Sequence, residues 1–172
     1  MSSTPDSLFT PLPQRSVTLL NRIVVSPMCQ YSSVDGRASD WHLVHLGSRA
    51  IGGAGTVFTE AAAVSPEGRI TPGDLGIYFD DHIPFLSRIT AFLKENGSVP
   101  AIQLAHAGRK ASMTAPWVNP SHTAAADEGG WTNVVAPSAL RFHDEYPLPH
   151  SLDRAGMDKV IADFTSAIVS IV

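Results

Sequence analysis

Three short runs of apolar, largely β-branched residues stand out along the first part of the chain. Arg22–Ser26 is ended by Pro27, and Gly55–Thr59 and Val99–Leu104 have the same character. Short apolar runs bounded by glycine or proline are typical of buried strands. The pattern therefore predicts three core strands.

The segments between these strands have the apolar spacing of helices packed on one side. Trp41–Ile51 is followed by Gly52 and Gly53, and Asp81–Asn96 is followed by Gly97. A glycine just past the last periodic residue is a common end of a helix. The order strand, helix, strand, helix, strand predicts a parallel α/β sheet, because each connection is long enough for a crossover.

The chain before the first core strand suggests a hairpin. Leu8–Pro11 and Val17–Leu19 are strand-like and flank a turn-prone segment, Pro13–Arg15. We expect two short strands here that act as a lid or a plug.

A long proline-containing segment, Gly108–His150, follows the third predicted strand. Irregular segments of this length are usually functional or mobile. A last amphipathic helix is predicted after it, with Ser151 as its N-cap. Its predicted buried stripe consists of Met157, Val160, Ile161, Phe164, Ile168 and Ile171.

Composition narrows the class of protein. Of the 172 residues, 44% are hydrophobic, and 16 acidic against 12 basic residues give a net charge of −4 without long runs of either sign. Binding to nucleic acid is disfavoured, and no apolar stretch approaches the roughly 18 residues of a membrane helix. The first residues, Met1–Asp6, lack a signal-peptide pattern, so we expect a cytoplasmic protein. Cys29 is the only cysteine, which excludes an intrachain disulfide.

Three motifs follow the three predicted strands in order. They are Asn21–Tyr31, Glu60–Arg69 and Gln103–Lys110. Carboxyl ends of parallel strands in a βα barrel form one rim, so the motifs should meet at one site.

Together the motifs resemble the old yellow enzyme family, and the cysteine after Pro27-Met28 points to its bacterial, thermophilic-like branch. The resemblance runs from about Leu8 to Phe164 and implies an FMN-binding TIM (β/α)8 barrel. Residues 1–172 would form the N-terminal portion of that single domain: the hairpin and about three βα units of an incomplete barrel.

The first motif has a physical interpretation of its own. Pro27 takes the backbone out of the strand ladder, and Met28 offers a polarizable surface for a ring system. The resemblance implies that Ser26, Pro27, Met28 and Cys29 lie against FMN and that Cys29 tunes the flavin by hydrogen bonding. It also implies that Tyr31 contacts the substrate. Without the resemblance, a buried inert cysteine and a packing tyrosine remain open alternatives.

The other two motifs supply a small residue and an amide. Ala61, just after the second predicted strand, would let a flat cofactor approach the backbone. Gln103 is a polar group in an apolar run and would need hydrogen-bond partners if buried. By resemblance, Ala61 and Gln103 seat the flavin ring, Gln103 at its pyrimidine edge.

Cationic and histidine side chains near the motifs allow further interpretations. His106, Arg109 and Lys110 could face the cofactor or a nicotinamide phosphate, or anchor the long segment to carboxylates. His42 and His45 have a spacing compatible with metal binding, but no third ligand is suggested. We therefore predict no metal and expect these two histidines at the helix surface or in a cap.

The function implied by the resemblance is that of an FMN-dependent ene-reductase, in which NAD(P)H is the reductant and an activated alkene such as an enone is reduced. The carbonyl-binding pair and the proton-donating tyrosine of the family belong to later strands, so no catalytic residue is assigned and weak flavin binding is expected. One alternative is a non-catalytic remnant or interaction module that needs another chain, or a second copy, to complete the barrel. A flavin-dependent tRNA-modifying reductase is disfavoured by the acidic charge.

Overall fold

Strands and helices alternate along the chain. The structure is a computed structural model that describes residues 7–120 and 122–170. Within these residues the strands and α-helices are, in chain order, β1 (Leu12–Gln14), β2 (Val17–Leu19), β3 (Val24–Val25), α1 (Asp40–Ile51), β4 (Thr56–Ala63), α2 (Ile83–Glu95), β5 (Val99–Ala105), β6 (Val135–Ala136), β7 (His150–Ser151) and α3 (Arg154–Val169).

The centre of the fold is a three-stranded parallel sheet in the order β3-β4-β5. The predicted βαβαβ order is confirmed. The helices cover one face of the sheet, because Val57 and Ala62 of β4 share a buried cluster with Leu46 of α1 and Ile89 of α2. We call the opposite face the inner face. Within the described residues the sheet is unclosed, since β3 and β5 each pair with β4 only.

A β-bulge divides β4 into two halves. Phe58 pairs with Ala101 and Ala61 with Gln103, so two residues of β4 stand opposite one of β5. Side chains of a regular strand alternate, and Val57 and Ala62 would then lie on opposite faces. The extra residue reverses the alternation, as bulges do, and both side chains reach the helix-side core.

The glycines that were predicted to end helices do so. Gly52 is the C-cap of α1, and Gly53 adopts a φ of +90°. Gly97 follows the cap of α2 with a φ of +79°. Side chains with a Cβ rarely adopt such angles, so glycine is the residue that allows both chain reversals.

The predicted hairpin is present, and its second strand is Val17–Leu19 as predicted, but its first strand is shifted along the chain. Its strands are β1 and β2, joined by Arg15 and Ser16, and Leu8–Pro11 is not a strand. The prediction failed because Pro13 was taken for a turn residue, although an edge strand of a small hairpin accepts proline. The next residues lie near the amino ends of the core strands: Asn21 donates to the Gly53 carbonyl and accepts from Gly55 N–H. The hairpin is therefore not a lid over the carboxyl ends.

The last helix also differs from its prediction. Asp153, and not Ser151, is the N-cap: its Oδ1 accepts from Gly156 N–H at 2.8 Å. Phe164 packs against the core and Ala167 is buried, whereas Met157, Ile161 and Ile168 of the predicted stripe are exposed. Ile171 lies outside the described residues. The stripe is only partly covered because, of the helix residues, only Phe164 and Ala167 join the core cluster.

The segment 108–150 is more ordered than its prolines suggest. The short strands β6 and β7 pair in parallel, and Met113 N–H donates to the Ile70 carbonyl at 2.8 Å. These bonds fold the segment back toward the carboxyl end of β4. None of the described helices is long and apolar enough to cross a membrane.

Candidate active site

The motif residues of the three core strands meet at one rim. Ala61 N–H, in β4, donates a hydrogen bond to Cys29 Sγ in the segment after β3. Ala61 is also the register partner of Gln103 in β5, and side chains of paired residues share a face of the sheet. Cys29, Ala61 and Gln103 are therefore neighbours across three successive strands.

The Cys29 thiol is held in its protonated form. Partial burial raises the pKa of the thiol above its ordinary value, and the charges of Asp74 and Glu60 raise it further. Hydrogen bonds from Ala61 N–H and from the Tyr31 hydroxyl work in the opposite direction but do not reverse the shift. At neutral pH the sulfur is a thiol that can donate a hydrogen bond, and not a nucleophilic thiolate.

Tyr31 adopts a strained backbone conformation beside Cys29. Its φ is +48°, so the strand conformation does not continue to this residue, and its hydroxyl reaches Cys29 Sγ. Burial is the main cause that raises the pKa of Tyr31 above its ordinary range. The Tyr31 ring lies 5.4 Å from the Trp117 ring, centroid to centroid. Strain of this kind is common where a side chain must point at a ligand.

Ala61 and Gln103 differ from their predictions in position and burial. Ala61 lies inside β4 and not after it, because the strand continues to Ala63. Gln103 is exposed and not buried, since no described residue packs on the inner face of β5 at this point. Its amide is therefore free for an outside partner.

The Ser26–Cys29 segment forms an open wall of the rim. Ser26 is exposed and Met28 keeps 47% of its surface, while Pro27 and Cys29 are partly buried. The Gln30 side-chain amide donates to the Met28 carbonyl at 2.9 Å. The exposed, polarizable Met28 side chain thus faces outward from the end of β3.

A buried polar network behind this wall was not predicted from the sequence. Glu60 and His42 are 3% and 2% exposed, with Glu60 Oε1 3.4 Å from His42 Nε2. Glu60 Oε2 accepts from Gln30 N–H at 2.9 Å. His42 is therefore not a surface residue, although its Nδ1 accepts from Ser39 N–H and so does cap α1. A glutamate directly after the apolar run Thr56–Thr59 was the signal in the sequence.

The cationic residues after β5 anchor the long segment, but not through carboxylates. Arg109 donates to Ser138 Oγ at 3.1 Å, and Lys110 Nζ lies 3.9 Å from the centroid of the Phe142 ring. His106 Nδ1 accepts from Gly108 N–H, and burial lowers its pKa. No group of three or more possible metal ligands occurs among the residues that the structure describes.

Comparison with known proteins places this rim in a family. The family model described as "NADH:flavin oxidoreductase / NADH oxidase family" matches residues 7–169. The chain belongs to this family. FMN is the cofactor of the family, and NAD(P)H is its reductant.

Members of the NADH:flavin oxidoreductase family from fungi and bacteria are close in sequence. An NADH:flavin oxidoreductase of Gibberella zeae is 44% identical over 162 residues, which cover 93% of this chain and 39% of the relative. The NADPH dehydrogenase of Bacillus subtilis is 42% identical over 93% of this chain and 43% of the relative. The chain thus spans about two fifths of the length of these relatives.

Solved structures confirm the TIM-barrel fold class of the part that is present. Morphinone reductase in complex with tetrahydroNAD superposes with a TM-score of 0.77 at 24% identity, covering 95% of this chain and 46% of that chain. Old Yellow Enzyme from Pichia sp. gives a TM-score of 0.78 at 22% identity, covering 95% and 42%. The unclosed three-stranded sheet corresponds to a part of that barrel.

Proposed function

We propose that this chain forms the FMN-contacting wall of an NAD(P)H-dependent oxidoreductase that reduces activated alkenes. One observation carries the proposal: the hydrogen bond from Ala61 N–H to Cys29 Sγ joins two of the three motifs, and the pairing of Ala61 with Gln103 joins the third. A single rim built by three strand ends is where a barrel of this class binds its ligand.

The residues at the rim suit a flat heteroaromatic ring with a polar edge. Ala61 has no side chain beyond Cβ, so a ring can approach the backbone of β4 closely. The exposed Gln103 amide offers both a donor and an acceptor, which matches a pyrimidine edge. Met28 adds an exposed polarizable surface on the side of β3. In our proposal Ser26, Pro27, Met28, Cys29, Ala61 and Gln103 hold the ring of FMN.

When bound, FMN supplies hydride transfer from NAD(P)H to the β-carbon of an alkene that is conjugated with a carbonyl. The role of Cys29 is that of a protonated thiol: it stays neutral at physiological pH and can donate a hydrogen bond to the cofactor. Such contacts tune a cofactor without covalent chemistry. The raised pKa of the thiol supports this role.

Tyr31 is proposed to contact the substrate. Its phenol keeps its proton, because burial raises the pKa, and that proton is donated to Cys29 Sγ. Tyr31 therefore orients a substrate and does not protonate it. We assign no proton donor and no carbonyl-binding pair within the described residues.

We also propose that NAD(P)H is the reductant. Relatives named NADPH dehydrogenase and a solved complex of morphinone reductase with tetrahydroNAD support a nicotinamide reductant. The cytoplasmic location stays a prediction.

Flavin titration tests the proposed function directly. We expect the purified chain to quench FMN fluorescence saturably, and Gln103→Leu to weaken this binding about fivefold, since a hydrogen-bonded edge is worth on the order of 1 kcal/mol. The exposed Gln14→Leu, in the hairpin, is the matched control. Cyclohexenone reduction with NADPH or NADH reads out activity. Wild-type protein that binds no FMN would contradict the proposal.

A second candidate function, an interaction module, is favoured by a separate observation. A groove of about 350 Å³ lies beside α2 and β5 and is lined by apolar side chains such as Leu93 and Ile102. The adjoining edge of β5 has no partner strand among the described residues. Exposed apolar surface of this kind is typical of an interface.

A further inference from the structure

Glu60 and Ala61 of β4 each form a hydrogen bond with the segment that follows β3. Glu60 Oε2 accepts from Gln30 N–H at 2.9 Å, and Ala61 N–H donates to Cys29 Sγ. Two neighbouring residues of β4 therefore hold two neighbouring residues, Cys29 and Gln30, of the segment after β3.

The second neighbour of the Glu60 carboxylate is His42, and its hydrogen bonds define where the imidazole proton lies. Ser39 N–H donates to His42 Nδ1 at 3.0 Å, so Nδ1 carries no proton and the proton of this neutral ring is on Nε2. That Nε2–H faces Glu60 Oε1 at 3.4 Å and Ser33 Oγ at 3.2 Å. Glu60 Oε2 thus accepts from Gln30 N–H, while Oε1 lies against an Nε2–H whose hydrogen-bond partner is Ser33 Oγ.

A carboxylate presents an acceptor to both neighbours, Gln30 N–H and the Nε2 edge of His42. A glutamine at position 60 has one acceptor, so its NH₂ group would face either Gln30 N–H or His42 Nε2–H. A buried donor without a partner is costly, and the local structure would open to hydrate it.

We propose that the buried Glu60–His42 pair is the positioning element of this site: it fixes Gln30, and with it the neighbouring Cys29, at the rim of the sheet. Resting on the proposed function, this makes Glu60 and His42 positioning residues for the flavin wall. Neither side chain is exposed to a ligand, since both are buried behind the wall.

The only cysteine of the chain provides a reporter that needs no flavin. The rate of Cys29 alkylation by iodoacetamide, followed from pH 6 to pH 11, gives a midpoint and a plateau. The midpoint reports the charges that face the thiol, those of Asp74 in the turn after β4 and of Glu60 on β4, together with the hydrogen bond from the neutral Tyr31 hydroxyl. The plateau reports how freely the segment opens.

Glu60→Gln should change both quantities. The midpoint is expected to fall, because a negative charge that raises the pKa of the thiol is removed. The plateau rate is expected to rise at least about threefold, because one clamp on the segment is lost.

Variants of His42 separate positioning from charge. The amide nitrogen of His42→Gln can replace Nε2 and donate to Glu60, so its plateau should stay within about twofold of wild type, whereas His42→Leu should raise it at least about threefold. His45→Gln, on the same helix, is the control. Circular dichroism verifies that each variant is folded. If His42→Leu does not fold, the comparison of Glu60→Gln with His42→Gln decides alone.

Equal plateaus in wild type, Glu60→Gln and His42→Leu would overturn the proposal. A parallel FMN titration keeps the two proposals apart: wild-type protein that binds no FMN contradicts the proposed function, while the alkylation result still decides the positioning role.

Discussion

Asp74 is a buried carboxylate close to the site and lies in the turn after β4. Its side chain is 2% exposed and accepts three hydrogen bonds, from Ile70 N–H at 2.6 Å and from Thr71 N–H and Oγ at 2.9 Å each. Burial nevertheless dominates and raises the pKa of Asp74 to about 6, with the charge of Glu60 acting in the same direction. The cost of keeping this charge out of water exceeds what the hydrogen bonds return.

Stability should therefore fall as this group ionises. The pKa of an aspartate in the unfolded chain is about 4, so the contribution of Asp74 is complete below about pH 4 and is lost as the pH rises through about 6. The loss is expected to be up to about 3 kcal/mol in the free energy of unfolding.

Urea unfolding at pH 4.5 and pH 7 measures this loss. Asp74→Asn should show a smaller decrease between the two pH values than wild type, because it has no proton to lose. The exposed Asp144→Asn should match wild type. Identical pH dependence in Asp74→Asn and wild type would contradict the expectation.

Some features of the site could be predicted from the sequence and others could not. Cys29 and Ala61 were singled out through the resemblance to a family and not from composition alone, and their contact with flavin stays a prediction. The exposure of Gln103 could not be predicted, since it depends on what packs against β5 from elsewhere. The partnership of Glu60 with His42 was also missed, because it joins a strand to a helix across a bulge.

At the scale of elements, α3 depends on a single cap at its start. Asp153 Oδ1 accepts from Gly156 N–H at 2.8 Å, and further along the helix the Lys159 ammonium bridges Glu67 and Asp163 at 2.7 Å each. Asp153→Ala should lower the free energy of unfolding by about 1 kcal/mol, because an N-terminal amide loses its acceptor. Asp153→Asn, which keeps a side-chain acceptor, should cost only a few tenths of that. Thermal unfolding followed by circular dichroism measures both, and equal losses would argue against the cap.

The elements themselves were predictable to different degrees. The three core strands and the first two helices follow from composition, and Gly52 and Gly97 ended the helices as expected. The bulge was not predictable, because it is a property of pairing and leaves no mark in a single strand. The pairing of β6 with β7 was not predicted either, because strands of two residues are too short to show a periodic pattern.

At the scale of the whole molecule, the groove beside α2 and β5 leaves apolar side chains uncovered. Val17 of the hairpin lines it and is 43% exposed. If the groove is an interface between copies, Val17→Lys should weaken self-association at least about threefold, because a charge would be buried on contact. Val44→Lys is the control: Val44 is 67% exposed on α1 and does not line the groove.

Sedimentation velocity across a range of protein concentrations measures the effect. A wild-type chain that remains a monomer at every concentration would exclude self-association through the groove.

The bulge in β4 has one more consequence, for insertions and deletions. Loss of a single residue at Thr59 or Glu60 would exchange the faces of the strand residues beyond it, turning Ala61 toward the helices and Ala62 toward the inner face. Residues 61–63 are all alanine, so both faces of this part of β4 carry the same side chain. The exchange would therefore change the packing of the sheet very little. No neighbouring residue of β4 carries a carboxylate that could replace that of Glu60. Reading-frame-preserving deletions at this point should therefore leave a folded sheet and an unclamped wall.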